Sequence, residues 1–527
     1  MGIVQEAAAF VGSLTAVQLA GAFAALVLAF HVVPYILDPH GLRKYPAAGP
    51  FGIAAFTDAW VVWQARRGKR FEALDKAHRK YGKYVRISPR QVSIADPKAL
   101  DTIYGHGTGT MKPAFYDAFV GLKNVRGLFN TRDRAEHTRK RKIVSATFAQ
   151  RNVLEFEPYI ASVMRQLLNK WDAMCDKAVK DGKGWVTLDT LTWLNFLAFD
   201  IIGDLAFGAP FGMVEREADI CEIEQEDGSI KHLPAVTILN ERGEYSNCLG
   251  VMPPHWRPFS KYVDPWFSRG HASVINLAGM ARARVNARLK SGAGDRKDLL
   301  ARLQEARDES GNPMDIDELT AEALTQLIAG SDTTSNSSCA IIFYLARNQD
   351  AQKKLQAELD KTFKDRGISG VMEYEDIKTL PYLEACINEA LRMHSTSSMG
   401  LPRVMPAQGA DFQGEHFKEG TEVSVPAYTI HHLESIWGDP FNYRPERWLG
   451  SDAKQLEKSF IPFSIGPRSC VGRNLATMEL LVFMSTLFYR YDFKLADENQ
   501  TKLETSEGFL RKPLESWIKM RRRSIDA

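Results

Sequence analysis

The sequence predicts a mainly α fold with a small β portion, preceded by one N-terminal transmembrane helix. Three observations carry this prediction: a charge-free apolar run near the N-terminus, a proline-free and largely apolar segment at Met314–Asn348, and strand-like alternation confined to two short stretches. Hydrophobic residues at 45% and charged residues at 25% are globular averages, which exclude wholesale disorder, collagen and simple coiled coils. With 67 Lys and Arg against 64 Asp and Glu, the chain is too balanced for a protein that neutralises nucleic-acid phosphates. Its length of 527 residues allows three or four domains, yet no repeat or linker divides the body, so one anchor (1–40) and one large domain (41–527) are expected.

The anchor comes first. From Ala7 to Leu37 there is no Asp, Glu, Lys or Arg, and Leu14–Leu37 is apolar enough to span a hydrocarbon core. The start MGIVQE lacks the basic region of a cleaved signal, so the helix is read as retained. Glu6 removes a myristoylation motif at Gly2. Arg43, Lys44, Arg66, Arg67, Lys69 and Arg70 all follow the span, which places the body in the cytosol. Pro34, Pro39, Pro46 and Pro50 are expected to interrupt any helix, with Tyr45–Pro50 as a stiff connector.

Further along, Tyr84–Ile94 and Arg403–Val425 read as a small accessory sheet. Cys221–Lys231 is acidic and poor in apolar residues, and reads as an exposed loop or insertion. The segment Met314–Asn348 is apolar well beyond one face, so it should cross the centre of the molecule. Within it, Ala329-Gly330-Ser331-Asp332-Thr333-Thr334 should weaken the helix locally, because Gly lowers propensity and the polar side chains compete for backbone bonds.

Near the C-terminus the pattern F-x-x-G-x-R-x-C-x-G is formed by Phe463, Gly466, Arg468, Cys470 and Gly472, just before a helical run beginning at Leu475. The glycines permit close backbone approach, the helix N-terminus favours a thiolate, and Phe463 can pack beside the sulfur. Cys470 is therefore a candidate axial ligand to haem iron. The other five cysteines (Cys175, Cys221, Cys248, Cys339, Cys386) read as small buried hydrophobes, and with no C-x-x-C pair neither a disulfide framework nor a structural zinc is expected.

On this motif the sequence resembles the cytochrome P-450 superfamily of haem-thiolate monooxygenases, and further motifs follow across nearly the whole body. The resemblance implies the P-450 fold and a haem b cofactor. It assigns Glu389 and Arg392 to E-x-x-R, with Arg447 of Pro445-Glu446-Arg447-Trp448 completing a structural network. It assigns haem-propionate contacts to Arg468, Arg403, His137 and Arg141; the family often has Trp at His137, whose other reading is a polar helix residue in a basic run. Ala329 and Gly330 would let the haem face lie against the helix, and Asp332 and Thr333 would deliver protons. Back-bonding of Thr333 and Thr334 to helix carbonyls is the alternative. Without a flavin or nicotinamide fingerprint, NADPH would act indirectly, through a membrane-bound NADPH–cytochrome reductase. Arg132–Lys142 with Arg473 could form the docking face, or a solvated helix face. The resemblance and the anchor imply a single-pass protein of the endoplasmic reticulum membrane.

Within the superfamily the chain resembles the fungal benzoate 4-monooxygenases, on segments such as Leu197–Met213, Leu319–Asn336, His394–Arg403 and Glu507–Leu514. This implies conversion of benzoate to 4-hydroxybenzoate. A buried benzoate needs donors or a cation for its carboxylate and apolar walls for its ring. The candidates are Tyr104, Tyr116, Arg126, Ser395, Thr396, Ser397 and Ser398 for the carboxylate, and Phe115, Phe119, Leu128 and Phe129 for the walls. Two other readings stay open: a monooxygenase of another small aromatic (a substituted or methoxylated benzoate) or a lipid, and a membrane-anchored haem sensor or carrier without turnover.

Overall fold

A computed structural model describes residues 15–121, 125–225, 227–292, 294–307, 311–363 and 370–524. The first helix, α1 (Ala16–Leu37), opens with a capping box between Thr15 and Gln18 and has a mean hydropathy of 2.1 with none of its side chains buried. It runs through Pro34 rather than ending there. Proline's fixed φ suits a helix, and near the end of the element it forfeits a single donor. The Asp38 N–H then donates to the Pro34 carbonyl (3.0 Å) and closes the last turn. The end of α1 rests on the body, with His31 Nδ1 3.0 Å from the Phe56 carbonyl and the Tyr35 ring tilted against Phe56, centroids 4.3 Å apart.

The body is built on helices, of which seven position the site: α2 (Arg134–Thr147), α3 (Thr190–Phe207), α4 (Ala235–Val251), α5 (Pro265–Ser291), α6 (Ile316–Arg347), α7 (Pro381–Met393) and α8 (Arg473–Arg490). Helix α3 is also long and apolar enough to cross a membrane, but 89% of it is buried, which marks it as a core helix. It packs along α6, the central helix. Asp315 caps α6 by accepting from the Asp317 and Glu318 amides, both at 2.9 Å. Every residue from Thr334 to Ala346 is buried, as an apolar helix through the core requires.

The expected break at Ala329–Thr334 is absent, and α6 is continuous. The hydroxyls of Ser331 and Thr333 donate to the carbonyls four residues back, Leu327 (2.7 Å) and Ala329 (2.6 Å), so they bond along the helix instead of competing with it. Gly330 has its own reason. A Cβ there would lie 2.7 Å from Ile202 Cδ1, so glycine marks the crossing of α6 over α3.

The sheets are small. Strands β1 (Tyr84–Ser88), β2 (Gln91–Ile94), β4 (Arg403–Val404) and β5 (Glu422–Ser424) form one sheet in the order β1-β2-β5-β4, with Val92 parallel to Val423, within the two stretches the alternation marks. A second sheet has β6 (Tyr491–Leu495) beside β7 (Trp517–Arg522), which pairs in turn with β3 (Val186–Asp189). The alternation of buried Tyr491, Phe493 and Leu495 with Asp492 and Lys494 was its available signal. Cys221–Glu224 and Ile230–Leu233 form a hairpin rather than the exposed loop expected of an acidic segment. Its inner side chains, Cys221 and Ile223, are buried against α5, where Gly279 admits the Glu224 carbonyl.

Replacing Gly330 by Ala should cost about 1–3 kcal/mol through overpacking against Ile202. Adding Ile202→Val should recover part of it, leaving the double variant more stable in urea denaturation than the two single losses summed.

Candidate functional site

The loop leading into α8 is folded on itself. The Cys470 amide donates to the Phe463 carbonyl (2.9 Å) and the Ser469 amide to the Gly466 carbonyl (3.0 Å). Gly466 is required here: its φ is +73°, and a Cβ would stand 1.8 Å from the Tyr104 carbonyl oxygen. Gly472 is not held to glycine by any protein neighbour, since the nearest atom to a Cβ is Phe148 Cε1 at 3.8 Å. The Arg473 guanidinium lies over the Phe463 ring at 5.6 Å.

This loop and α6 enclose a cavity of about 300 Å³, lined by Cys470, Phe463 and Gly472 from the loop and by Ala329, Gly330 and Thr333 from α6. Burial pushes the Cys470 thiol above its usual range, while the Gly472 amide and the guanidinium groups of Arg141 and Arg473 pull the other way.

The same cavity is lined by Lys112, His137, Arg141 and Arg468. Each cation is tethered to a carbonyl: Lys112 to Phe129, Arg141 to Ser469 (2.6 Å), and Arg468 to Thr131 (2.8 Å) and Arg132 (3.1 Å). Among the described residues none of these three forms an ion pair with a carboxylate. Burial, reinforced by their mutual repulsion, drives Lys112 well below its usual range, Arg468 to about 10 and His137 to about 3. Positive charge gathered in a cavity without a carboxylate partner calls for an anion. Arg403 stands behind the wall rather than lining it, donating to the Tyr116 hydroxyl (2.8 Å) with its guanidinium 5.0 Å from the Tyr104 ring centroid. Lys112 has no generic motif to announce it. A haem, with two carboxylates for these cations and an iron that the Cys470 thiolate could hold, would fit these residues.

Behind the loop, α7 carries a fully buried network. Arg392 donates to both Glu389 oxygens (2.9 and 2.8 Å), Arg447 Nε to Glu389 Oε1 (2.9 Å), and Trp448 Nε1 to Glu389 Oε2 (3.1 Å). Arg392 also donates to the carbonyls of His431 and Pro440. The network meets the loop through His431, whose Nε2 accepts from the Ile461 amide (2.9 Å) while Nδ1 pairs with Ser395 Oγ (2.5 Å). Burial and the Arg392 charge hold this imidazole neutral, down to about 3. No sequence signal singles His431 out.

Successive residues on a helix point about 100° apart. Thr333 accordingly lines the cavity, whereas Asp332 faces Arg242 and Lys512 in a small neighbouring cleft. Burial pushes the Asp332 carboxyl up to about 6, with Lys512 and Arg242 pulling it down. Thr333 does bond back to a helix carbonyl; Thr334 does not, donating instead to Glu479 Oε2 (2.9 Å), an acid raised by burial to about 8.

The residues proposed for a substrate carboxylate separate. Arg126 is half-exposed, pairs with Asp117 (2.9 Å) and stays outside the cavities. The Tyr104 hydroxyl is engaged by the Leu401 carbonyl and the Val425 amide, and the Tyr116 hydroxyl accepts from Arg403. Ser395 and Ser398 are buried in bonds that shape their loop. Only Thr396 and Ser397 face the cavity, along with the ring of Tyr104. A second cavity, about 340 Å³, shares Phe129, Thr325, Ala329, Thr333, Phe509 and Leu510 with the first. Phe119, Phe129 and Phe509 meet there with ring centroids 4.7–5.6 Å apart, while Phe115 packs into the core at Gly250. In the basic run Arg132–Lys142, Arg132 pairs with Asp117 (2.7 Å), and Arg139 and Lys140 with Glu318 (both 2.6 Å), while Arg134 and Lys142, like Arg473, are exposed.

Residues 57–520 match the family model Cytochrome P450. The chain belongs to the cytochrome P450 family. It is 48% identical over 508 residues to the benzoate 4-monooxygenase bphA of Aspergillus niger, covering 95% of this chain and 96% of that one. It is 31% identical over 490 residues to the cytochrome P450 monooxygenase ORF9 of Penicillium roqueforti (90% and 88% covered) and 31% over 495 residues to atr2 of Stereocaulon alpinum (91% and 92%). The protein is thus a P450 monooxygenase of the haem-thiolate family.

In this P450, removing one member of the buried network should be severe. Arg392→Leu leaves Glu389 short of its bidentate partner, and a loss of about 3–5 kcal/mol is expected, measured by chemical denaturation. An unchanged midpoint would mean the network is dispensable.

Proposed function

We propose that this P450 hydroxylates benzoate at the para carbon. Benzoate, dioxygen, two protons and two electrons give 4-hydroxybenzoate and water, with the electrons coming from NADPH through a separate NADPH–cytochrome reductase. The observation that carries the reading is the 48% identity to a benzoate 4-monooxygenase along almost the full length of both chains.

The roles of the residues follow from their placement. Cys470 would hold the haem iron, and Lys112, His137, Arg141 and Arg468 would answer the haem carboxylates, with Arg403 adding its charge from behind. Haem ligated by a thiolate supplies oxygen activation, since the thiolate pushes electron density toward the iron. Phe129, Phe509 and Leu510 exclude water and form apolar walls for a ring beside Ala329. Thr333 presents its hydroxyl at the cavity, and Asp332, titrating near neutrality in its buried cleft, would take up protons and pass them toward it. Ala329 and Gly330 keep the helix face low where the haem would lie.

Helix α1 would anchor the protein as a single pass in the endoplasmic reticulum membrane, with residues 41–527 in the cytosol. Exposed Trp256, Phe259, Tyr262 and Val263 support a membrane-facing side. They adjoin His255, whose ring sits 6.2 Å from Phe30 of α1.

Titration of the ferric protein with benzoate should shift the iron from low to high spin, and turnover with reductase and NADPH should release 4-hydroxybenzoate. No shift together with turnover of another aromatic acid would overturn the substrate. Cys470→Ala should lose the thiolate-type spectrum of the reduced carbon monoxide complex, and a retained spectrum would move the ligand elsewhere.

A further inference from the structure

Arg242 of α4 is 8% exposed and lines the second cavity. Its guanidinium donates one hydrogen bond, from Nη2 to the Phe119 carbonyl (3.2 Å), and lies over the Phe119 ring at 5.4 Å. Among the described residues no carboxylate stands within ion-pair distance of it. Asp332 acts on it only at longer range and also faces Lys512, which pairs with Glu244 at 3.3 Å. Burial lowers this guanidinium to about 10, a sign of how poorly its charge is answered.

The two cavities give the position a direction. Of the two, Cys470 lines the first and Arg242 the second, where Arg242 also borders the small cleft holding Asp332, and the wall the two cavities share contains Ala329 and Thr333. A flat molecule lying along that wall has one end toward the cysteine's cavity and the other toward Arg242. Para attack on an aromatic carboxylate demands that polarity, because the reacting carbon and the carboxylate sit at opposite ends of the ring. We propose that Arg242 is the anchor for the substrate carboxylate, a specificity-determining residue that turns the para carbon toward the thiolate side. This rests on the benzoate reading above. The planar fork of Arg suits a carboxylate, whereas Thr396 and Ser397 line the cavity that holds Cys470, where a carboxylate would reverse the ring.

The test is equilibrium dialysis of labelled benzoate and of benzamide, its neutral isostere, on the haem-loaded full chain. Arg242→Gln should weaken benzoate binding about 10- to 100-fold and leave benzamide binding unchanged or tighter. Arg242→Lys, which keeps the charge but not the fork, should lose less, and it decides the matter if the Gln variant does not retain haem. Asp332→Asn should keep benzoate affinity within about twofold. Equal benzoate affinity in wild type and the Arg242 variants would overturn the anchor, as would a parallel loss of benzamide. So would an Asp332→Asn variant that reproduces the benzoate loss, since Arg242 would then act through that acid. Wild-type protein that binds no benzoate would overturn the substrate reading instead.

Discussion

The structure depends on positive charge gathered in a cavity without a protein counter-charge. Lys112, Arg141 and Arg468 face the space above Cys470, each fixed by a backbone carbonyl and none by a carboxylate among the described residues. A carbonyl fixes a guanidinium in direction without neutralising it, so the free energy of burying these charges is recovered only when an anion arrives. The protein is in this sense incomplete by itself. A haem, whose paired carboxylates would answer these cations and whose iron Cys470 could ligate, would complete it. Arg242 repeats the device on a smaller scale in the adjoining cavity.

The rest of the fold keeps this unfavourable arrangement in place. Glu389 accepts from Arg392, Arg447 and Trp448 in complete burial, which satisfies the charges that would otherwise add to the cost. Through His431 and the Ile461 amide the same network reaches the loop carrying Cys470. On the other side α6 is continuous, its own hydroxyls bonding along it, and Gly330 marks its crossing over α3. The cavity is thus bounded by the hydrogen-bonded Cys470 loop and α6, with residues of other loops completing its wall.

Much of this was legible in the sequence where function is local in the chain. The cysteine loop, the E-x-x-R pair and the apolar central helix each occupy contiguous residues, and the structure brings Glu389, Arg392 and Arg447 together as their spacing and family pattern suggested. What was not legible is what depends on packing between distant segments. Lys112, His431 and Arg242 carry no local signature, because a lone Lys, His or Arg becomes significant only when burial and missing partners are known. The same holds for Arg126 and Ser395, which looked available in the sequence and are in fact engaged by Asp117 and by His431. Helix continuity through Ala329–Thr334 is settled by which carbonyl each hydroxyl reaches, and composition does not show that. The ion pairs of Arg139 and Lys140 depend likewise on Glu318 from a helix far along the chain.

In the proposed reaction the two cavities orient an aromatic carboxylate with its para carbon toward the Cys470 side, and oxygen is inserted there from dioxygen. The most direct test is turnover of benzoate under ¹⁸O₂, with the product resolved by position and mass. The expected product is 4-hydroxybenzoate carrying one ¹⁸O in the ring hydroxyl and none in the carboxylate. Hydroxylation at the ortho or meta carbon, or a para hydroxyl without the label, would contradict it.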